Sequence, residues 1–422
     1  MKIERPAYPW PFFVAMGAAL TLFFGFHALF PVLPLYIIAI GGSAADNGLS
    51  AWIFALAALL ARPLAGVLVD RWGRKPVLLL GAALFGSGPL LYGWTSGMAL
   101  GWSAIRDDLP TVAINSIEWL FGARAVHGAG MALFSTAYQA FVADLLPLGR
   151  YGEGLGLANV ATIVTMVAAP PLGEWVVREL GFSTLFLILG AAGGVGVLVT
   201  LTLPGRGHDG HTDAVYPRSA PRLSTEQTGL GWALREPGVR MGALGMAVLG
   251  VPFGAFITFL PLLAEARELG GTGWIFATYA LVSSLVQPVA GRIADRWGTE
   301  RTTLVGLGLT ALSAVGLAVG DSRWMLVGVA GLFGMGYGAA RAGLDACVQG
   351  SVGPALRGSA AAIQYTAHDL LIGLGGWGLG WLASVAGYGV MYVVDGGITL
   401  LGVMVCRLSA GRQRVGDEVP TG

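Results

Sequence analysis

Long apolar runs separated by short polar breaks set the pattern of this chain. They fall at roughly 12–40, 50–69, 77–98, 117–142, 153–177, 182–203, 239–263, 273–293, 302–320, 323–346, 359–384 and 388–408. A helix needs about 20 mainly apolar residues to cross a bilayer. The pattern therefore predicts an all-α membrane protein of about twelve spanning helices. Glycine and proline punctuate many runs, which is tolerated where neighbouring helices satisfy the freed backbone groups. One long stretch, from about Pro204 to Glu236, is polar and without period, and reads as a linker. The expected layout is a six-helix bundle over 1–203, a linker over 204–238, a second six-helix bundle over 239–410 and a tail over 411–422.

Composition points the same way. Of 422 residues, 55% are hydrophobic and only 12% charged, against about 25% charged in a soluble domain. Too few charges remain to cover a globule in water, whereas lipid tolerates such a surface. The 67 glycines suit close helix approach in a membrane. A net charge of +1 supplies no field to draw nucleic acid. Cys347 and Cys406 have no metal or disulfide spacing. The first residues show no Ala-x-Ala cleavage site, so the first run reads as a retained helix.

Basic residues are lopsided across the predicted topology. Lys2, Arg5, Arg71, Arg74, Lys75, Arg150, the arginines of 206–240, Arg292, Arg296, Arg301, Arg357 and the tail from Arg407 fall on one side. Arg106, Arg178, Arg267 and Arg323 fall on the other. The positive-inside rule then puts both termini in the cytoplasm, in a multi-pass protein of the cell membrane. His208, His211, Asp209 and Asp213 lie in the linker and read as solvated rather than as a metal site. No nucleotide-binding P-loop is present, and no cluster of nucleophile, base and orienting group suggests an enzyme.

The halves repeat. Gly66-Val-Leu-Val-Asp70-Arg71-Trp72-Gly73 returns 225 residues later as Gly291-Arg-Ile-Ala-Asp295-Arg296-Trp297-Gly298. Pro63 and Pro288 each stand three positions before the first glycine. Leu33-Pro34-Leu35 matches Leu260-Pro261-Leu262 at 227, and Arg150 matches Arg357 at 207. The falling offset implies an insertion in the first half, for which 103–116 is the candidate. Repeated half-bundles characterise secondary transporters.

Gly66-x-x-x-Asp70-Arg71-x-Gly73-Arg74-Lys75 resembles the signature of the loop between helices 2 and 3 in the major facilitator superfamily. Gly66 allows close packing, Gly73 a tight turn, and Asp70 can meet Arg74 or a helix N-terminus. The resemblance implies a cytoplasmic latch between halves; the plainer reading is a juxtamembrane anchor. In the second copy Thr299 and Glu300 replace the Arg-Lys pair, so that latch is expected to be weaker. Arg124-Ala-Val-His127-Gly128 resembles the family's Arg-x-x-Gln-Gly motif, whose arginine is linked to proton transfer. Ala169-Pro170-Pro171-Leu172-Gly173-Glu174 is similar to the antiporter signature of exporters, with Ala169 and Glu174 in place of glycines and Ala158 and Thr165 at the upstream glycine positions. It predicts a kinked, tightly packed helix.

Ionisable groups inside spanning helices are functional candidates by default. Asp369 is the preferred proton-coupling acid, with Arg124, His27 and His127 as further candidates. His27 reads equally as a hydrogen-bonded packing residue, and His368 need not act with its neighbour Asp369. Arg341 and Asp345 stand at i,i+4 and either line a cavity or bridge one another. Tyr138, Gln139, Gln364 and Tyr365 are further cavity candidates, the tyrosines alternatively being packing. Arg62 reads as snorkelling and Asp395 as structural. The expectation is a monomeric secondary transporter without a cofactor, exporting a small molecule against protons by alternating access. A sugar or organic-acid importer of the same fold is the alternative.

Overall fold

The computed structural model describes residues 8–95, 116–146, 151–205, 235–353 and 356–417. They form helices α1 (Trp10–Ala28), α2 (Leu33–Ala39), α3 (Ala44–Trp72), α4 (Arg74–Thr95), α5 (Ser116–Leu145), α6 (Tyr151–Leu201), α7 (Pro237–Ala266), α8 (Gly273–Trp297), α9 (Thr299–Val319), α10 (Arg323–Ser351) and α11 (Arg357–Asp417). Among the described residues nine of these, all but α2 and α5, are long and apolar enough to cross a membrane.

The first predicted run, 12–40, is two helices. α1 stops at Ala28 and α2 starts at Leu33, because Pro31 and Pro34 bring no N–H to a continuous ladder. Conversely, α6 and α11 each join two predicted runs. Each contains a candidate membrane span of 49 residues, long enough for two crossings. Each breaks at a glycine, Gly181 (φ 82°, ψ 168°) and Gly387 (φ 82°, ψ 165°), a backbone geometry that side chains exclude. The two breaks occupy equivalent places in the repeat. The 103–115 part of the expected insertion, most of the linker, Arg150 and the end of the tail lie outside the described residues.

Contacts divide the chain into two compact units, Met1–Gly42 with Ile53–Thr212 and Ser43–Trp52 with Asp213–Gly422. The first turns of α3 thus belong with the second unit, where a side chain at Gly48 would strike the Gly376 carbonyl of α11. In the first unit α4 packs on α5 and α6, and α1 on α6. In the second, α9 packs on α10 and α11, and α7 on α11.

Lipid tails are as apolar as leucine, so packing rather than hydrophobic burial holds such helices together. Small residues do this at matched places. A Cβ on Gly81 would strike the Phe134 backbone, and one on Gly306 the equivalent Ala340 backbone. Gly130 meets Phe85 as Gly336 meets Thr310, and Gly128 meets the Phe54 carbonyl as Gly334 meets that of Tyr279. Aromatic rings fill the space between, among them the stacked Phe256–Phe333 pair at 4.4 Å. Exposed Trp10, Trp72, Trp297 and Trp324 mark helix ends, where aromatic belts meet a membrane surface.

Candidate functional site

Gly73 (φ 90°) and Gly298 (φ 94°) make the turns that end α3 and α8, as their place in the repeated motif requires. Lys75 donates from Nζ to the Leu201 carbonyl at 2.9 Å, capping the last turn of α6 with a cation. Arg74 pairs with Asp144 of α5 at 2.8 Å rather than with Asp70. Its Nε–H is not aligned on the carboxylate, so the contact is an ion pair and not a directed hydrogen bond. Asp70, Arg71, Asp295 and Arg296 are exposed. The packing role expected of Gly66 is not seen. Among the described residues a Cβ on Gly66 or Gly291 would have nothing within 4 Å.

Helices α4 and α5 bring Arg124, Tyr92 and His127 together. Arg124 Nη1 donates to the Tyr92 hydroxyl at 3.3 Å, and that hydroxyl lies 2.6 Å from His127 Nδ1. The guanidinium also stacks 4.3 Å from the centre of the Phe54 ring. His127 borders a narrow crevice with Thr21, Phe26 and Phe85. On α1, His27 reaches Thr165 of α6 at 2.9 Å, among the rings of Phe23, Phe26 and Phe30. A side chain on Gly173 would lie 2.6 Å from the Ala28 carbonyl, so the glycine of that motif packs α6 tightly on α1. The helix runs on through Pro170, and its break falls at Gly181.

In the second unit α10 and α11 assemble a longer cluster. Arg341 Nη1 lies 3.5 Å from the Tyr337 hydroxyl, which lies 3.1 Å from His368 Nε2; His368 Nδ1 lies 3.4 Å from Asp369 Oδ1. Arg341 Nε stands 3.8 Å from Asp345 Oδ2. Asp345 accepts from Gln364 Nε2 at 2.9 Å and from the Tyr365 hydroxyl at 3.4 Å. His368 and Asp369, expected to diverge, therefore meet.

Valence fixes the direction of this chain. With Asp369 ionised and the imidazole neutral, the carboxylate only accepts, so His368 Nδ1 donates to it, Nε2 accepts from the Tyr337 hydroxyl, and the Tyr337 oxygen accepts from Arg341. That leaves the histidine proton on Nδ1, pointing at the Asp369 carboxylate. This tautomer is assigned from the network. The same chain can be drawn in the opposite order with a protonated Asp369, which would donate to Nδ1 while Nε2–H donates to the Tyr337 oxygen and the tyrosine O–H turns away with its hydrogen.

Tyr138 is buried, stacked on Phe134, with its hydroxyl on the Ala158 carbonyl. Gln139 is exposed. Asp395 is buried in the second unit with one carboxylate oxygen unpartnered. Sequence reasoning did not single out Tyr92, Tyr337 and Thr165. Tyr337 carried a signal, four residues before Arg341 on one helix face; Tyr92 and Thr165, each on a different helix from its partner, carried none.

The family model of the Major Facilitator Superfamily matches residues 15–271 and again 242–420. A multi-drug resistance efflux pump PmrA homolog of Lactococcus lactis subsp. lactis is 24% identical over 74% of this chain and 73% of its own. The class C tetracycline resistance protein of Escherichia coli is 26% identical over 83% and 85%. With hippocampus abundant transcript-like protein 1 of Rattus norvegicus, 24% identical, the match spans 66% of this chain but about half, 52%, of the relative. The crystal structure of the nucleoside transporter NupG superposes with a TM-score of 0.72 at 15% identity, covering 95% of this chain and 99% of that one, and shows the fold. The chain belongs to the Major Facilitator Superfamily and is a multi-pass membrane protein.

Proposed function

We propose that this transporter moves a small molecule out of the cell in exchange for protons by alternating access. The observation that carries this reading is the directed chain from Arg341 through Tyr337 and His368 to Asp369. It gives a proton on one carboxylate a route to alter a cationic group three links away. Asp369 receives the proton, His368 changes tautomer, and Tyr337 turns its hydroxyl. Arg124 with His127, and His27 with Thr165, are enclosed; they tie helices of the first unit together. Efflux is favoured by the likeness to a multi-drug resistance efflux pump homolog and, beside it, to a tetracycline resistance protein. The proton gradient serves as energy source, the monomer in the cell membrane as working unit, and both termini lie in the cytoplasm.

The test uses proteoliposomes with a pH-sensitive dye inside, an imposed pH gradient, and tetracycline within a panel of amphiphiles. Substrate-dependent collapse of the gradient is expected, and its loss in Asp369→Asn with the fold retained. Full pH-driven transport by Asp369→Asn would remove this carboxylate from the mechanism. Substrate flux with no proton movement in the wild type would replace exchange by facilitated diffusion.

A further inference from the structure

The second-unit cluster contains a guanidinium that its neighbours satisfy only loosely. Arg341 offers five N–H donors in a fixed fork. Tyr337 meets it at 3.5 Å and Tyr365 lies beside it, its ring centre 5.3 Å from the guanidinium carbon. Asp345, the counter-charge one turn along, is held at 3.8 Å, beyond hydrogen-bond length. That carboxylate is turned to Gln364 instead, at 2.9 Å. The arginine's partners are two phenol hydroxyls and a carboxylate at ion-pair distance, none of them a short charge-assisted bond, while its side chain is 32% exposed. A charge at membrane depth faces water or protein rather than lipid, since lipid exposure costs at least about 2.5 kcal/mol. Aromatic rings lie beside Arg341: Tyr365 and Tyr337, with Phe253 tilted against Tyr337 at a ring-centre distance of 5.0 Å.

We propose that Arg341 binds the carboxylate of an aromatic monocarboxylic cargo, fork to fork, with the cargo's ring against Tyr365 and Tyr337. Two short charge-assisted bonds would replace the loose contacts. A planar anion suits the fork, and the rings favour a planar apolar body. One negative charge is the limit, because a dianion such as a phosphate monoester would face Asp345 and Asp369 beyond the single arginine. Arg124, by contrast, is 8% exposed and stacked on Phe54, and leaves no room for a ligand. This inference specifies cargo chemistry at the cluster used above and does not depend on proton movement.

Three probes of one shape separate charge from shape: 2-naphthoate, 2-naphthamide and 2-naphthylmethylammonium. The purified full-length protein in detergent, with no gradient, is titrated with each, and ligand-induced stabilisation is read by thermal denaturation. Naphthoate is expected to stabilise the protein and the other two to have no effect. Arg341→Gln is expected to weaken naphthoate binding about tenfold or more. Arg341→Lys, which keeps the charge and loses the fork, weakens it several-fold and serves if the glutamine variant fails to fold. Equal stabilisation by naphthamide, stabilisation by the ammonium alone, no response to any probe, or unchanged naphthoate binding in both variants overturns the proposal. Binding of naphthoate with no proton exchange in vesicles would leave this inference standing and remove the coupling mechanism alone.

Discussion

Adding one methyl group at Gly81 or Gly306 tests what holds each half together. A Cβ on Gly81 would lie 2.7 Å from Phe134 Cα and 2.8 Å from the Leu133 carbonyl carbon; on Gly306 it would lie 2.7 Å from Ala340 Cα. Ordinary contact begins near 3.4 Å, and backbone atoms cannot rotate aside. The two helices must part by about 1 Å at the crossing, and their neighbouring contacts weaken with them. Overpacking of this kind costs about 1–3 kcal/mol, while helix propensity returns up to about 1 kcal/mol for glycine to alanine. A net loss of about 1–2 kcal/mol is expected at each site. Gly66→Ala and Gly308→Ala are internal controls, since a Cβ there has nothing within 4 Å among the described residues; they should match or slightly exceed the wild type. Thermal denaturation of the four purified variants is compared in one detergent at one heating rate, because unfolding of such proteins is commonly irreversible. If Gly81→Ala and Gly306→Ala melt with the controls, the glycine-to-backbone crossings do not carry the stability assigned to them.

Other consequences are read in the same way. Arg267 donates to the carbonyls of Leu317, Ala318 and Gly320, closing the end of α9; Arg267→Ala should cost about 1–3 kcal/mol in thermal stability, with Arg267→Lys intermediate, and equal melting of all three would refute the cap. Asp395→Asn should melt at or above the wild-type temperature, because it removes a buried carboxylate oxygen with no partner; a large loss would mean that the carboxylate is needed for the fold. Tyr92→Phe should lower stability by about 1–3 kcal/mol and leave the pH dependence of transport unchanged. Tyr337→Phe should do the reverse, abolishing that dependence at little cost in stability, since it breaks a chain beside exposed groups.

The spans and the repeat were legible because both rest on local signals: apolar length, and a motif whose glycine must make a turn with φ near 90°. Gly73 and Gly298 show that link from residue to backbone directly. Helix joins were harder. Composition does not distinguish a glycine that breaks a helix, such as Gly181, from one that packs inside it, such as Gly173; the difference lies in neighbours remote in sequence. The site was half legible. Arg341, Asp345, Gln364, Tyr365 and Asp369 stood out as polar groups in apolar runs. The contacts that order them depend on which faces α10 and α11 turn to each other. Arg74 gave the opposite lesson, since nearness in sequence suggested Asp70 and the structure supplied Asp144 from another helix.

The repeat also shows what the two halves do not share. The glycine crossings pair helix for helix, yet the polar groups do not. Aligned through Gly81 with Gly306 and Phe134 with Ala340, the Tyr92, Arg124 and His127 of the first half correspond to Leu317, Ala330 and Phe333 of the second. Tyr337, Arg341 and His368 correspond to Met131, Ser135 and Thr162. Both halves thus join an arginine, a tyrosine hydroxyl and a histidine, but from different positions and to different ends. In the first half the group is shut into packing, with His127 only 1% exposed. In the second it runs out to carboxylates whose side chains are 35% and 26% exposed, Asp345 and Asp369. Packing crossings tolerate duplication because they ask only for small residues at a fixed spacing. A buried charge carries a cost wherever it is placed, so each half retains one only where its own neighbours satisfy it. The scaffold is therefore symmetric and the chemistry is not: one half encloses its polar group and the other leaves its carboxylates partly exposed.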